Sequence, residues 1–351
     1  MFRNLILFQL PGDAIPTQQA LIDALAEHPL RDPGPIELST RGFVSPLGRG
    51  QDQLVRTQGD HSLLALGSCH RMLPAQVVND ALAEKLDAIE AQRGRRPGGK
   101  ERSRLKDEVL AELIPQAFLQ RRRTLAWLDH ATGVLTVDTS SRKAAEEALS
   151  DLREALGTFP AIPMVPMTSA RLTLTGWLTG DALPDDFTLG DQVELKDPGD
   201  DGAVVRARRQ DLGADEVIEH VNAGKQVSML AVGYDDRLAF ILDENLVVRG
   251  LRFSDVVLEQ LGDCEDPIAE LDARLALMVG ELRRLYARLA QLFDLDLSTL
   301  KLDGGAQPPS VANAARAAAQ RLHRMAASEG LTVTLSGPGL PETRLGPGGL
   351  E

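Results

Sequence analysis

The chain has 351 residues, enough for two domains or one elaborate one, with an ordinary apolar fraction of 43% and a net charge of −13. No stretch approaches 18 consecutive apolar residues, and the opening run Leu5-Ile6-Leu7-Phe8 ends at Pro11-Gly12-Asp13, so neither a membrane span nor a secretory leader is expected. The two cysteines, Cys69 and Cys264, lie nearly 200 positions apart, which excludes a disulfide framework and fits a reducing cytoplasm.

Residues 3–10 read as a strand closed by a Pro-Gly turn, and Gln18 to Ala26 carries helical periodicity through Leu21, Ile22 and Leu25. After the Pro33-Gly34-Pro35 loop, residues 62–69 read as a strand. A helix is then expected from about Ala75 to Gln92, with Val78, Leu82, Leu86 and Ile89 on one face. The Gly/Arg-rich stretch Arg93 to Ser103 reads as a mobile break before a second helix through Leu105, Val109 and Leu113, which Pro115 ends or restarts. Two strands follow, Thr124 to Leu128 and Val134 to Val137. Asp138 to Ser141 then offers caps for a helix from Arg142 to Leu156, and Pro160, Pro163 and Pro166 mark a connector.

Beyond the connector, residues 187–196, 203–209, 226–233, 237–242 and 246–253 look extended. Helices are expected at about Ala214 to Val221 and Ala269 to Phe293, with a further one over Ala-rich 311–328 before a structureless end from Ser336. Short turns join the strands more often than helical crossovers do. The chain is therefore read as α+β, with antiparallel or mixed sheets and helices.

An acidic total argues against nucleic acid, but the charge is unevenly spread. Residues 93–123 hold ten basic side chains against four acidic ones, a net +6, which leaves −19 for the rest. Within this segment, if Phe118 opens a short helix, Arg121 and Arg122 stand three and four residues on, with Arg123 beside them. A ring among guanidiniums suits DNA, because arginine grips phosphate and the ring leans on bases; the competing reading is a core Phe with a solvated arginine face. A second candidate is the strand Val204 to Gln210, whose period of two puts Arg206 and Arg208 on one face, with Arg209 and Gln210 following. Its alternative is an exposed face countered by Asp200, Asp201 and Asp211.

Cys69-His70-Arg71 lacks ligand spacing, and a lone Cys in a strand reads as core. Asp185, Asp186, Glu194 and Lys196 faintly echo a metal-dependent nuclease, a pattern cheap to find by chance. No phosphate-binding Gly-rich loop, helix-turn-helix, zinc finger or basic zipper is present, so no cofactor or metal is expected and any DNA contact should be insensitive to sequence.

Residues 104–128, RLKDEVLAELIPQAFLQRRRTLAWL, resemble the RdgC family closely. So do Phe2-Arg3-Asn4-Leu5, Gly42-Phe43-Val44, Leu73-Pro74, Val134 to Asp138, Arg206 to Leu212, Leu251-Arg252-Phe253 and Gly280-Glu281-Leu282. The resemblance covers about residues 1–293. It implies an elongated, curved subunit of a ring-shaped homodimer whose basic hole encircles duplex DNA. It further implies binding of single and double strands without sequence preference, restriction of RecA access to DNA, residence at the cytoplasmic nucleoid, no membrane association and no enzymatic activity.

By position, residues 1–74 and 124–165 should form a central sheet region, 75–123 a helical tip with a basic loop, and 166–293 a second α+β region. Residues 294–351 have no counterpart and are expected to be a partly disordered extension. Phe118 matches the family's hole-facing Phe, Arg209 and Gln210 match a Lys-Gln pair implicated in DNA contact, and Arg71 matches a basic residue before Ile-Leu-Pro. Gln116 departs from an Arg, Ser68-Cys69-His70 replaces a more charged stretch, and Arg122 and Arg123 add charge. The DNA-binding set is thus Arg71, Phe118, Arg121, Arg122, Arg123, Arg206, Arg208, Arg209 and Gln210. The alternatives are a nuclease using Glu194 and Lys196 and a nucleoid scaffold whose partners are mainly proteins.

Overall fold

The computed structural model describes residues 1–48, 50–180, 183–199, 202–262, 266–295 and three short strands between 333 and 350. Residues 1–301 form one compact unit. Its first sheet has the order β2(Ser39–Val44), β4(His61–Met72), β5(Phe118–Asp129), β6(Val134–Val137), β1(Ile6–Gln9) and β7(Ile162–Pro163), with β3(Val55–Gln58) also on β4. The second runs β12(Val248–Phe253), β11(Leu238–Asp243), β10(Gln226–Tyr234), β8(Phe187–Lys196), β9(Val204–Arg208). Every strand pair is antiparallel, as the short connections predict.

Period-two burial sends β4 and β5 into two cores. Leu64, Leu66, Ala126 and Leu128 meet α1(Gln18–Ala26) and α4(Arg142–Leu156) through Leu21, Leu25, Leu149 and Leu152. On the other face Leu63 and Trp127 join α8(Pro267–Phe293), α5(Ala170–Leu178) and the second sheet. The long helix α8 holds the two sheets together. Tyr286 stacks on Trp127 and shares a 3.0 Å hydrogen bond with Thr136, Phe293 lies 5.7 Å from Trp177, and Arg237 donates to buried Glu281 at 2.5 Å. A buried carboxylate reinforces this: half-buried Arg283 donates twice to Asp129, at 2.7 and 2.8 Å, and Asp129 also accepts from the backbone N–H of Ala131 and Thr132.

Between β4 and β5 the chain makes an arm of two helices, α2(Ala75–Arg93) and α3(Gly99–Leu113), zipped by Val78, Leu82, Leu105 and Val109. Gly94, in the left-handed region at φ 68°, ends the first helix. The second starts at Gly99, so Lys100 to Ser103 are helical rather than part of a mobile break. Further on, α6(Asp215–Asn222) follows β9, and α7(Asp255–Leu258) is a single turn. The helix over 170–178, beyond the proline connector, was not anticipated. Strands β13(Val333–Gly337), β14(Leu340–Gly346) and β15(Gly349–Leu350) form a small antiparallel sheet, where a structureless end was expected. The helix expected over 311–328 lies outside the described residues.

Candidate nucleic-acid interface

Phe118 does not open a helix. It is the first residue of β5, which pairs with β4 over twelve consecutive positions from Met72↔Phe118 to His61↔Asp129. Pro115 stops α3, a 3-10 turn at Ile114–Gln116 reverses the chain, and extended backbone begins two residues later. Three consecutive arginines hide the alternation by which a strand is usually recognised. The helical arm therefore ends near Gln116, and residues 118–123 belong to the sheet.

This correction redistributes the site. In a strand, neighbouring side chains point to opposite faces. Phe118, Gln120 and Arg122 share one face, and Leu119, Arg121 and Arg123 the other. Phe118 is 84% exposed, with Met72 opposite it also exposed. On its face, Arg122 Nη2 donates to Gln120 Oε1 at 3.3 Å.

On the opposite face, Arg121 Nη2 donates to both carboxylate oxygens of Asp32, at 2.6 and 2.8 Å, and that hydrogen bond raises the arginine's pKa above its ordinary value. Arg123 reaches only the carbonyl of Ser45, at 3.4 Å. Among the described residues, Arg122 and Arg123 have no carboxylate partner.

Arg71 lies on the face of Arg121 and Arg123, opposite Leu119. Its guanidinium donates to the carbonyls of Pro33, Gly34, Glu37 and Pro115, between 3.1 and 3.4 Å. Its hydrogen bonds hold the 33–37 loop against the sheet, which leaves its charge but few free donors. The loop is fixed from its other side by Arg31, whose hydrogen bond to Glu37 lowers that carboxyl to about 2. Gly42 and Gly67 pair across β2 and β4, and the chain at Pro29-Leu30 runs directly over Gly42. A Cβ at Gly42 would stand 2.7 Å from the Leu30 nitrogen, so only glycine permits this approach. Cys69 is fully buried, as the core reading expected.

The second candidate lies on the other sheet. β9 is an edge strand paired only with β8; Val205 and Ala207 face the core, while Arg206 and Arg208 face outward. Arg206 donates to Glu194 at 2.5 Å, and Arg208 stands opposite Gln192. Arg209 leaves the strand in the left-handed region, φ 54°, a conformation costly for a residue with a Cβ. Gln210 then hydrogen-bonds Glu216 at 3.2 Å. Among the described residues no hydrogen bond or ion pair joins this group to the arginines of β5, so the candidates form two clusters: Arg71, Phe118 and Arg121–Arg123, and Arg206–Gln210.

The helical arm adds cations that were not singled out. Arg93, Arg96 and Arg104 pair with Glu101, Glu90 and Glu108, but Arg95, Lys100, Arg102 and Lys106 are exposed and without an ion pair among the described residues. The net +6 of the segment was the legible signal; which charges are left over depends on helix phase. Glu194, the nuclease candidate, has both oxygens engaged, by Arg206 and by Ser228. Among the described residues no group of three or more His, Cys, Asp and Glu is placed to hold a metal ion, and no described helix is long and apolar enough to cross a membrane.

Residues 1–296 match the family described as "Putative exonuclease, RdgC". Relatives named "Recombination-associated protein RdgC" include those of Stenotrophomonas maltophilia strain R551-3, 44% identical over 298 residues, and of Xanthomonas campestris pv. campestris strain B100, 46% identical over 297. Each alignment covers 84% of this chain and 98% of the relative. The protein of Xylella fastidiosa strain 9a5c is 44% identical over 292 residues, covering 82% of this chain and 96% of its own. From its first strand to the end of its longest helix, this chain belongs to the RdgC family.

Proposed function

We propose that the protein binds DNA without reading its sequence, as a ring-shaped homodimer that encircles duplex and also holds single strands. By occupying DNA at the nucleoid it limits RecA-dependent recombination, and it performs no chemistry itself. The observation that carries this reading is the far end of the β4–β5 ladder. There an 84% exposed phenylalanine and the uncompensated guanidiniums of Arg122 and Arg123 stand on a rigid strand pair rather than a loop. Arg206, Arg208, Arg209 and Gln210 supply a second strip, and Arg71 a fixed charge beside the first. A closed ring suits the charge distribution: a net −13 keeps the outside soluble and away from DNA, while a basic inner wall suffices for contact. Two-fold symmetry doubles each phosphate contact. The relatives' printed association with recombination supports the cellular role.

The test is affinity for several unrelated duplexes across a salt series, with sizing of the protein alone and on DNA. The variant Arg121→Ala/Arg122→Ala/Arg123→Ala should weaken all sequences alike and flatten the salt slope by roughly 0.9 per lost phosphate contact. An unchanged slope removes these arginines from the interface, and a monomer on DNA removes the ring. The family description favours a second reading, a metal-dependent exonuclease, for which Glu194 and Lys196 are the candidates. Incubation of linear and plasmid DNA with Mg²⁺ or Mn²⁺ separates the two; cutting that disappears in Glu194→Ala establishes the enzyme.

A further inference from the structure

A groove of about 920 Å³ runs beside the arginines of β5, between α1, the Pro29-Leu30 segment, the end of β2 and the loop leading to β3. That volume falls in the range of small-molecule sites. Its walls are of two kinds. Ile22, Leu30 and Leu54 give it an apolar, partly buried interior, and Arg121, Arg122 and Arg123 line one side. Among the described residues that line it, the only carboxylate is Asp52. Arg121 is already neutralised by Asp32 and Arg122 turns to the other face of the strand, so among the described lining residues Arg123 is the cation left to meet a ligand. An apolar slot edged by a free guanidinium fits a flat apolar body carrying an anion, which is the chemistry of a nucleoside phosphate.

A base paired in a duplex cannot enter such a slot; an unstacked one can. The same strand carries a device suited to unstacking. Phe118 stands at the exposed end of the strand, five residues from Arg123 and about 16 Å along it, with its ring on the other face. Exposed apolar side chains of this kind wedge between base steps and open them. We propose that the groove receives one unpaired nucleotide of the bound strand, its base against Leu30 and Leu54 and its phosphate on Arg123, which reaches the groove at Ser45. Gln53 at the rim offers an amide that suits any base edge, so occupancy is not tied to sequence. The inference rests on the DNA-binding reading above and adds to it a preference for distorted over perfect duplex.

The test uses the full-length protein and three duplexes: perfectly paired, with one extra thymidine, and with one extra abasic nucleotide. Binding to the thymidine bulge should be roughly tenfold tighter than to the perfect duplex, since one base stacked on a protein surface has about that effect. The abasic bulge, equally bent but without a base, should lose most of the gain. Ala26 is exposed at the groove wall, so Ala26→Trp should fill the slot and erase the preference while leaving affinity for perfect duplex unchanged; Gln53→Trp repeats the test from the other wall.

Equal binding of thymidine and abasic bulges overturns the proposal, as does a preference that survives both tryptophan variants. Equilibrium dialysis with thymidine monophosphate provides the remaining arm. Binding there that Ala26→Trp abolishes, without any bulge preference, assigns the slot to free nucleotides and overturns the strand reading. Failure to bind perfect duplex at all sinks the DNA-binding reading itself, a result distinct from binding all three duplexes equally.

Discussion

The two halves of the β4–β5 ladder share one backbone geometry and have opposite fates. From His61 to Leu66, opposite Thr124 to Asp129, most side chains are buried and touch helices or the second sheet. From Gly67 to Met72, opposite Phe118 to Arg123, the β5 side is almost wholly exposed and carries the arginines. The contrast separates anchoring from contact. The near half fixes the direction of the strand pair, and the far half can then hold charge and an exposed ring with little consequence for folding.

The largest test of this contrast is in stability. Asp129→Ala should cost about 2 kcal/mol in urea unfolding, because two backbone N–H groups and the half-buried Arg283 lose their buried acceptor. Phe118→Ser should change stability by no more than about 0.5 kcal/mol, since its ring is already in water; it should instead reduce duplex bending measured by energy transfer between end labels. Comparable losses in both variants would end the distinction.

Binding comes next. Arg122→Ala with Arg123→Ala should lower affinity by roughly fivefold per phosphate contact at 0.15 M salt. Arg121→Ala should do less, because Asp32 already neutralises it. Asp32→Ala should therefore tighten binding by a few-fold, measurable by anisotropy; weaker binding would mean that Asp32 orients Arg121 rather than masks it.

The smallest effect concerns pH. Burial is the main cause lowering the pKa of His61 and of His130 below the ordinary histidine value. The unfolded chain then binds more protons than the folded one, so stability is fully present above about pH 6.5 and falls as pH drops below it. Among the described residues neither ring nitrogen of His61 has a hydrogen-bond partner, so His61→Phe should preserve stability at pH 7.5 and flatten its decline toward pH 5.5, followed by thermal melting.

Much of this architecture was legible in the sequence because helix stripes and turn residues were strong. Helix α4 spans Arg142–Leu156 as expected, with Ser141 among the expected caps as its N-cap, and the strands of the second sheet fall within a residue or two of expectation. Phe118–Arg123 was misread because the pairing that makes it a strand comes from residues fifty positions earlier, and a run of like charges has no period. The nine candidate DNA-contacting residues were legible as residue types on an expected strand or beside a ring. Their compensation was not legible, since Asp32 and Glu194 reach Arg121 and Arg206 only after folding, and Arg71 finds its carbonyls on a loop nearly forty positions away.

Strand β6 pairs with β5 only from Ala126 onward, so among the described residues Phe118 to Arg123 are paired on one side alone. Such an open flank would ordinarily template the addition of another chain's backbone and lead to clumping. Two adjacent uncompensated arginines, Arg122 and Arg123, make that approach self-repelling. The arginines proposed to hold phosphate therefore also keep concentrated protein dispersed, and their removal carries a solubility penalty that salt, by screening the repulsion, would reproduce in the unaltered chain.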